Sequence, residues 1–262
     1  MAQQHNSWLS VKLDGVDEYA KATSPAYATD SKTGGKAVAI WFKQTSALTG
    51  SDAKFMFGIG SEGGTAGFGA FFYFGSRYHP SKPGDKLDIT IRPTDGTNSG
   101  VKGYRGSTNL VAGTQYLAIF QTDGSTTTMY LGSAGTLNTE TVTMWSGTNL
   151  GEWFSVPAYV GTNVAVIGVG YTAGAPVAAY TDNNIDQIMI FNDDLTSDER
   201  TALYNGGKPI NPFAVGLGSK VREFIPIGDI DSSSSTINSA FEGTNFTTFN
   251  LESTDITSTN YY

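Results

Sequence analysis

The sequence predicts an all-β protein that contains one short helix. Glycine is abundant, with 32 glycines among 262 residues, and serine and threonine are frequent as well. Such a composition is typical of proteins built from many strands and turns. Most apolar segments are short and either alternate with polar residues or run continuously, which are the two patterns of strands. Only the segment near 197–205 carries the signals of a helix.

Charge and cysteine content exclude several classes of function. The chain has 24 acidic and 16 basic residues and a formal net charge of −8, which argues against nucleic acid or an anionic membrane as the main partner. It has no cysteine, so disulfides and thiolate metal sites are excluded. No apolar run approaches the roughly 18 residues of a membrane span. Residues 1–10 show no basic region followed by an apolar core, so we expect no secretory signal and synthesis in a cytoplasm.

The first half of the chain contains several predicted strands. Residues 8–13 alternate between apolar and polar side chains, which predicts a half-buried strand before a turn at Asp14-Gly15. Residues 37–43 are apolar at both odd and even positions, so we expect both faces of that strand to be covered.

A glycine-rich loop is predicted between two strands at 55–59 and 68–74. It contains a G-x-G-x-x-G match at Gly58, Gly60 and Gly63. A dinucleotide site would require a helix directly after the glycines, and a strand pattern follows instead. We therefore interpret the match as a turn. The same interpretation applies to a second match, at Gly168, Gly170 and Ala173.

Three further segments read as strands. Residues 87–92 alternate strictly, so Leu87, Ile89 and Ile91 should face inward and Asp88, Thr90 and Arg92 outward. Residues 114–130 predict two strands around a turn at Asp123-Gly124, and residues 164–169 predict a buried strand.

A strand that runs into the helix organises the second half. Residues 185–191 are apolar on both parities, which predicts a strand covered on both faces. Thr196 stands three residues before Glu199 in a capping-box pattern, which starts a helix over 197–204. Gly206-Gly207 should end the helix with a positive φ.

This segment resembles the closing segment of the concanavalin A-like lectin and glucanase superfamily, in its laminin-G/pentraxin-like branch. The residues that carry the resemblance are Ile185, Asp186, Ile188, Ile190, Phe191, Asn192, Leu195, Thr196, Glu199, Leu203, Tyr204, Asn205, Gly206 and Gly207. Residues 13–19, 37–43 and the hairpin at 114–130 are similar to other strands of the family, although Gly132-Ser133 replaces its usual Asn-Gly. The resemblance implies a two-sheet antiparallel jelly-roll sandwich.

The C-terminal region is poorer in large aliphatic residues than the rest of the chain and richer in Ser, Thr and Asn. Residues 221–227 predict an edge strand, because Pro226 cannot donate to a ladder. The polar run that follows resembles the end of laminin-G-like domains in bacteriophage structural proteins, at Gly228, Asp229, Asp231, Thr236, Ile237, Gly243, Asn245, Thr247, Asn250, Asp255 and Ile256. We therefore divide the chain into an N-terminal tail (1–7), a laminin-G-like sandwich (8–212) and a C-terminal strand with an extended arm (213–262).

The sequence predicts no enzyme. Glucanases of the resembled superfamily take their carboxylates from an E-x-D-x-x-E strand, and the matching strand here offers only Asp186. There is no G-x-S-x-G motif, and His5 and His79 have no catalytic context. We assign no catalytic, cofactor-binding or metal-binding residue.

Calcium and sugar are the two ligands to consider. Oxygen-rich clusters occur at Asp14/Asp17/Glu18, Asp182/Asn183/Asn184 and Asp193/Asp194. They could supply Ca²⁺ ligands, but turns also favour these residues, and the turn interpretation is preferred. Sugars stack on exposed aromatic rings, and the sequence offers Tyr73, Tyr78, Trp145, Trp153, Tyr171 and Tyr180, most of which we expect to pack internally.

These observations lead to two main functional hypotheses. The first, taken from the resemblance, is a non-enzymatic virion protein for capsid decoration or the tail, which would contact other virion proteins, copies of itself and host-surface glycans. The alternative is a stand-alone carbohydrate-binding, lectin-like module. A glycoside hydrolase is the remote alternative.

Overall fold

The computed structural model describes residues 9–258, except 31–33, 49–52, 62–70, 80–81, 93–99, 152, 154–162, 173, 178, 228–235 and 238–244. These residues form one α-helix, α1 (Ser197–Tyr204), short 3₁₀ turns and nineteen strands. The strands are β1 (Leu9–Lys12), β2 (Tyr19–Thr23), β3 (Lys36–Lys43), β4 (Ala53–Ser61), β5 (Phe71–His79), β6 (Lys82–Arg92), β7 (Lys102–Asn109), β8 (Gln115–Thr122), β9 (Thr127–Ser133), β10 (Thr136–Glu140), β11 (Thr143–Ser146), β12 (Asn163–Ile167), β13 (Gly170–Thr172), β14 (Ala175–Val177), β15 (Asn184–Phe191), β16 (Val221–Pro226), β17 (Thr236–Ile237), β18 (Phe246–Phe249) and β19 (Ile256–Ser258).

Two large antiparallel sheets form a sandwich, which confirms the predicted fold class. The eight-stranded sheet has the order β10-β9-β8-β3-β15-β1-β19, with β16 also paired to β15. The nine-stranded sheet has the order β11-β7-β6-β5-β4-β12-β2-β18-β17, and β13 and β14 form a separate hairpin. Neighbouring strands are often far apart in sequence, so the fold depends on long-range pairing.

The main core lies between the two sheets. Leu87, Ile89 and Ile91 of β6 face it, as the alternation predicts, and pack with residues such as Phe72 and Phe120. Trp153 also lies in this core, where only 3% of its surface is exposed. Removal of these apolar groups from water is the main force that holds the sheets together.

A second apolar cluster covers the outer face of the eight-stranded sheet. There, Met189 and Phe191 of β15 and Trp41 of β3 pack against Leu203 and Tyr204 of α1. Alternate residues of β3 and β15 belong to the main core instead. Both strands are therefore covered on both faces, as predicted.

Helix α1 has the predicted bounds, Ser197–Tyr204, but its left-handed cap lies one residue before the glycines. Glu199 N donates to Thr196 Oγ1 at 3.3 Å and Thr196 N donates to Glu199 Oε2 at 2.7 Å, which completes the capping box. The left-handed cap is Asn205, with φ 46°, rather than Gly206 or Gly207. Asparagine tolerates this conformation better than most residues, and the two glycines then continue the turn with positive φ.

The turn interpretation of the first glycine motif is wrong for two of its residues. Gly58 and Gly60 lie inside β4, and Gly63 is outside the described residues. A Cβ at Gly60 would overlap the carbonyl of Tyr171, so this glycine allows the β13–β14 hairpin to approach β4 closely. In the second motif, Gly168 does sit in a turn with φ 95°, whereas Gly170 begins β13 and Ala173 is outside the described residues.

The described C-terminal segments join both sheets. Among the described residues β16 pairs only with β15, which agrees with the predicted edge position. Strand β18 pairs with β2, and β19 pairs with β1. The division of the chain at residue 212 stays a prediction. No helix in the described part of the chain is long and apolar enough to cross a membrane.

Candidate functional site

Polar and aromatic side chains share the outer face of the nine-stranded sheet. On β5 to β7 they alternate with core residues, so they point away from the partner sheet. We call this surface the polar–aromatic face. It consists of Phe71, Tyr73, Arg77, Asp88, Thr90, Arg92, Arg105 and Trp145.

Arginine side chains lie over aromatic rings at two places on this face. The Arg92 guanidinium lies 4.9 Å from the centre of the Phe71 ring, which stacks on Tyr73 at 4.2 Å. The Arg77 guanidinium lies 5.1 Å from the centre of the Trp145 ring. Such cation–π contacts hold the rings in place. Phe71, Arg77 and Trp145 are half-exposed, so they are the accessible part of the face.

Glycine at position 103 permits the position of Trp145. A Cβ at Gly103 would overlap the indole ring, so the ring lies directly against the backbone of β7. The hairpin β13–β14 borders the face on its other side, where the Tyr73 hydroxyl donates to the carbonyl of Tyr171 at 3.0 Å. Tyr73 is 5% exposed and therefore anchors the hairpin instead of offering a free ring.

A buried carboxyl group, Asp88, lies near Trp145 on this face. Asp88 is 0% exposed, accepts a hydrogen bond from Thr90 Oγ1 at 3.1 Å and lies 3.7 Å from Arg105. Burial raises the pKa of Asp88 to about 6, although the positive charges of Arg77 and Arg105 and the hydroxyl of Thr90 oppose the shift. Arg105 also donates to the carbonyl of Arg77 at 2.9 Å, which fixes the two arginines relative to each other.

The predicted sugar-binding aromatics fall in different places. Tyr73 and Trp145 belong to the polar–aromatic face, and Tyr171 and Tyr180 form a separate cluster on the same sheet with Tyr19. Trp153 is a core residue. The side chains of Tyr78 and His79, and all of His5, are outside what the structure describes. The arginines were not predicted as partners, because they come from β5, β6 and β7 and their strand register cannot be read from the sequence.

The predicted calcium clusters have other partners in the structure. Asp182 forms an ion pair with Lys54 and accepts a hydrogen bond from Ser46 Oγ at 2.7 Å. Asp193 lies 3.4 Å from Lys220, and Asp14 accepts from the backbone N–H of Val16 at 2.7 Å, as in a turn. Among the residues that the structure describes, no group of three or more histidine, aspartate or glutamate side chains could hold a metal ion.

Asp186, which the resemblance aligns with the glucanase strand, lies in β15 and is 2% exposed. It is thus in the opposite sheet from the polar–aromatic face and is buried. The two features do not form one groove.

Similar folds occur among solved structures. A candidate carbohydrate-binding protein from Bacteroides ovatus ATCC 8483 shares the fold with a TM-score of 0.59 and 13% identity, over 98% of this chain and 61% of that protein. The CBM40 module of the Ruminococcus gnavus IT-sialidase, solved with α2,3-sialyllactose, has a TM-score of 0.49 and 14% identity, over 76% of this chain and 98% of the module. Tailspike protein 2 of an Escherichia coli O157:H7 bacteriophage, CAB120, has a TM-score of 0.48 and 12% identity, over 87% of this chain and 31% of the tailspike.

These likenesses concern the fold. This chain spans about three fifths of the length of the Bacteroides protein. No protein-family model matches the sequence, and no curated protein matches it. The chain has the two-sheet antiparallel β-sandwich fold that the sequence predicts.

Proposed function

We propose that this protein is a non-enzymatic carbohydrate-binding protein and that glycans bind at the polar–aromatic face. One observation carries the proposal: half-exposed Phe71 and Trp145 lie beside arginine guanidinium groups on one sheet face. The apolar C–H face of a sugar ring stacks on aromatic rings, and its hydroxyl groups accept hydrogen bonds from arginine.

The charges of the face favour glycans that present acceptors. It carries three arginines, of which Arg77 is accessible and Arg92 and Arg105 are buried, and one buried carboxyl group, Asp88. The protein as a whole has a net charge of −8, so this local excess of positive charge is unlike the average surface. Arginine also holds its donors in a fixed planar arrangement, which suits oriented oxygens of a glycan.

The fold is compatible with this proposal. The Bacteroides protein that shares the sandwich is described as a candidate carbohydrate-binding protein, and the same fold hosts many activities. The non-enzymatic part of the proposal rests on the absence of a paired-carboxylate motif in the sequence. Incubation with polysaccharides should therefore release no new reducing ends, and release of such ends would contradict it.

Substitution of the accessible ring tests the site. Trp145→Ala should weaken the tightest glycan found on an array by about tenfold or more, since stacking and the contact with Arg77 are both lost. Titration calorimetry measures the change, and circular dichroism checks that the variant is folded. Tyr130→Ala is the matched control, because Arg200 covers that half-exposed ring at 4.0 Å on the other sheet. Equal loss in both variants, or no glycan bound by the wild type, would contradict the proposal.

A virion role is a second candidate, and it rests on the resemblance of residues 228–256 to phage structural proteins. In this role the protein would bind glycans at the same face while forming part of a virus particle. Sedimentation of the native assembly tests it: the protein should travel with a large particle. If the protein sediments as a free monomer in the native source, the virion role is contradicted and only the carbohydrate-binding function remains.

A further inference from the structure

Positive charge on the polar–aromatic face is concentrated around Asp88. Arg105 of β7 lies opposite Asp88 of β6, and Arg77 of β5 lies opposite Lys86, the next outward-facing residue of β6. Residues that are directly opposite in an antiparallel pair point to the same side of the sheet, with Cβ atoms about 5 Å apart. Lys86 therefore borders the face, and three basic side chains and one carboxyl group lie close together.

The three basic side chains differ in how far a ligand can reach them. Arg105 is 2% exposed, and its guanidinium donates hydrogen bonds to the carbonyls of Arg77 and Gly84. It lies 3.7 Å from the Asp88 carboxylate, so these two buried charges largely offset each other. Arg77 and Lys86 are half-exposed, so a ligand on the surface meets these two charges first.

Arg77 retains donors for a ligand. Within the described part of the chain, its guanidinium forms no hydrogen bond and no ion pair, and it lies over the Trp145 ring. Contact with a ring leaves most of the five guanidinium N–H groups available. Lys86 differs, because its Nζ donates to the carbonyl of Ser107 at 2.5 Å, which holds the ammonium group without neutralising it.

An anionic group fits these two charges better than a hydroxyl group does. Asp88 is the one acidic residue among those that define the face, and it is buried beside Arg105. Among the described residues, neither Arg77 nor Lys86 has an acidic side chain within ion-pair distance. Hydrogen bonds between arginine and an anionic oxygen are about twice as strong as those between neutral groups, and a planar guanidinium can bind two such oxygens at once.

We propose that the glycan bound at the polar–aromatic face is acidic and that Arg77 binds its carboxylate or sulfate group. This inference rests on the proposed function, because it names the class of sugar that the face would bind. The sugar ring would stack on Trp145 beside Arg77, and Lys86 would add a second positive charge for the anionic group.

An oligosaccharide array tests the class of sugar. It should present hyaluronan and chondroitin sulfate oligosaccharides as acidic glycans, and chitin, mannan and β-glucan oligosaccharides as neutral ones. The tightest acidic glycan is then compared by calorimetry with its own neutral form, in which carboxyl groups are reduced to alcohols and sulfate groups are removed. The neutral form should bind about tenfold more weakly or worse, because the charge-assisted hydrogen bonds are lost. Removal of one kind of group at a time shows whether carboxylate or sulfate is bound.

Replacement of the accessible arginine tests its role. Arg77→Gln should weaken binding of the acidic glycan about tenfold and should reduce the difference between the acidic and neutral forms. Arg200→Gln is the matched control, because Arg200 lies over the half-exposed Tyr130 ring at 4.0 Å on the other sheet, and it should leave binding unchanged. Circular dichroism checks that both variants are folded.

Replacement of the buried carboxyl group gives a prediction of opposite sign. Burial raises the pKa of Asp88 to about 6, so the group is ionised at about pH 8 and attracts Arg77 as well as Arg105. Asp88→Asn keeps an acceptor for the Thr90 hydroxyl and removes the negative charge. At about pH 8 this variant should bind the acidic glycan several-fold more tightly than the wild type and the neutral form equally well.

The outcomes distinguish this inference from the proposed function. If only neutral glycans bind, or if the neutral form binds as tightly as the acidic one, recognition of an acidic group is wrong while sugar binding at the face stands. If no glycan binds, the proposed function fails as well. An unchanged preference for the acidic form in Arg77→Gln, equal losses in Arg77→Gln and Arg200→Gln, or weaker binding by folded Asp88→Asn would each overturn the role given to Arg77.

Discussion

Glu18 is a carboxyl group whose protonated form is stabilised by folding. It is 6% exposed and accepts a hydrogen bond from the backbone N–H of Asp14 at 2.5 Å. Burial raises its pKa to about 7, and the neighbouring carboxyl groups of Asp255 and Asp14 raise it further against the effect of that hydrogen bond. The unfolded chain releases this proton near the ordinary pKa of 4.5, earlier than the folded chain does.

Glu18 should therefore make stability depend on pH. Between about pH 4.5 and about pH 7 the folded protein binds more protons, so the free energy of unfolding should fall as the pH rises. Glu18→Gln keeps an acceptor for Asp14, removes the charge and should reduce this slope. The free energies of unfolding of the wild type and of Glu18→Gln are measured with urea across this pH range. Asp88, whose pKa is also raised, contributes a residual slope of the same sign. An unchanged slope in the variant would contradict the role of Glu18.

Gly103 is the second residue with a specific consequence. Gly103→Ala would force Trp145 away from β7, and such crowding costs typically about 1–3 kcal/mol. We expect lower stability together with weaker glycan binding. Gly106→Ala in the same strand is the control, because its new Cβ would meet the end of the Glu140 side chain, 2.8 Å away. If Gly106→Ala weakens glycan binding as much as Gly103→Ala does, the effect comes from β7 as a whole and not from Trp145.

At the scale of elements, helix α1 depends on its first turn. The helix has eight residues and only Leu203 and Tyr204 are buried, so its capping box is a large share of its stabilisation. Thr196→Ala should lower the free energy of unfolding by about 1 kcal/mol, as measured with urea.

Thr201→Ala is the internal comparison for that helix. The Thr201 hydroxyl donates to the carbonyl of Ser197 one turn earlier, an arrangement that gives little stability in a helix. This variant should be neutral or slightly stabilised, since alanine has the higher helix propensity. A larger loss from Thr201→Ala than from Thr196→Ala would contradict the importance of the cap.

At the scale of the whole molecule, the described C-terminal segments pair with strands of both sheets. Ile237, Phe246 and Leu251 contribute to the main core, and β18 and β19 pair with β2 and β1. If the predicted extended arm only docked on a neighbouring subunit, its removal would leave the sandwich folded. The structure leads to the opposite expectation.

Truncation after Ile227 should therefore destabilise the protein strongly. The three buried apolar side chains alone account for on the order of 5 kcal/mol, which is comparable with the whole stability of many domains. Thermal unfolding of this variant should begin far below that of the full chain. Truncation after Ser258 is the control and should change little. An unchanged melting temperature after the longer truncation would show instead that the arm is separate from the sandwich.

How far the sequence predicts this molecule depends on whether a signal is local. Strand β15 and helix α1 were predicted within one residue, because apolar parity, the capping box and the glycines all lie within one segment. Strands β2 and β7 were missed. The inward residues of β2 are Ala20 and Ala22, which are small, and β7 is polar and contains two glycines. These strands owe their conformation to their neighbours rather than to their own composition.

The candidate sites follow the same rule. Tyr73 and Trp145 could be named as sugar-binding candidates from residue type alone. Their grouping with Arg77 and Arg92 depends on strand register, and a shift by one residue would reverse every side chain. The stacked rings of Trp41 and Tyr204 are 163 positions apart (204 minus 41), and no local pattern predicts such a contact.

The pairing of β1 also constrains the order in which the strands can pair during folding. Leu9 lies opposite Ser258 and Val11 opposite Ile185, so among the described residues the first strand has partners only from β15 and β19. This strand must wait for residues 184–185 before one edge can be paired and for residues 256–258 before the other edge can. Folding should therefore be slow, as is usual for proteins dominated by distant contacts.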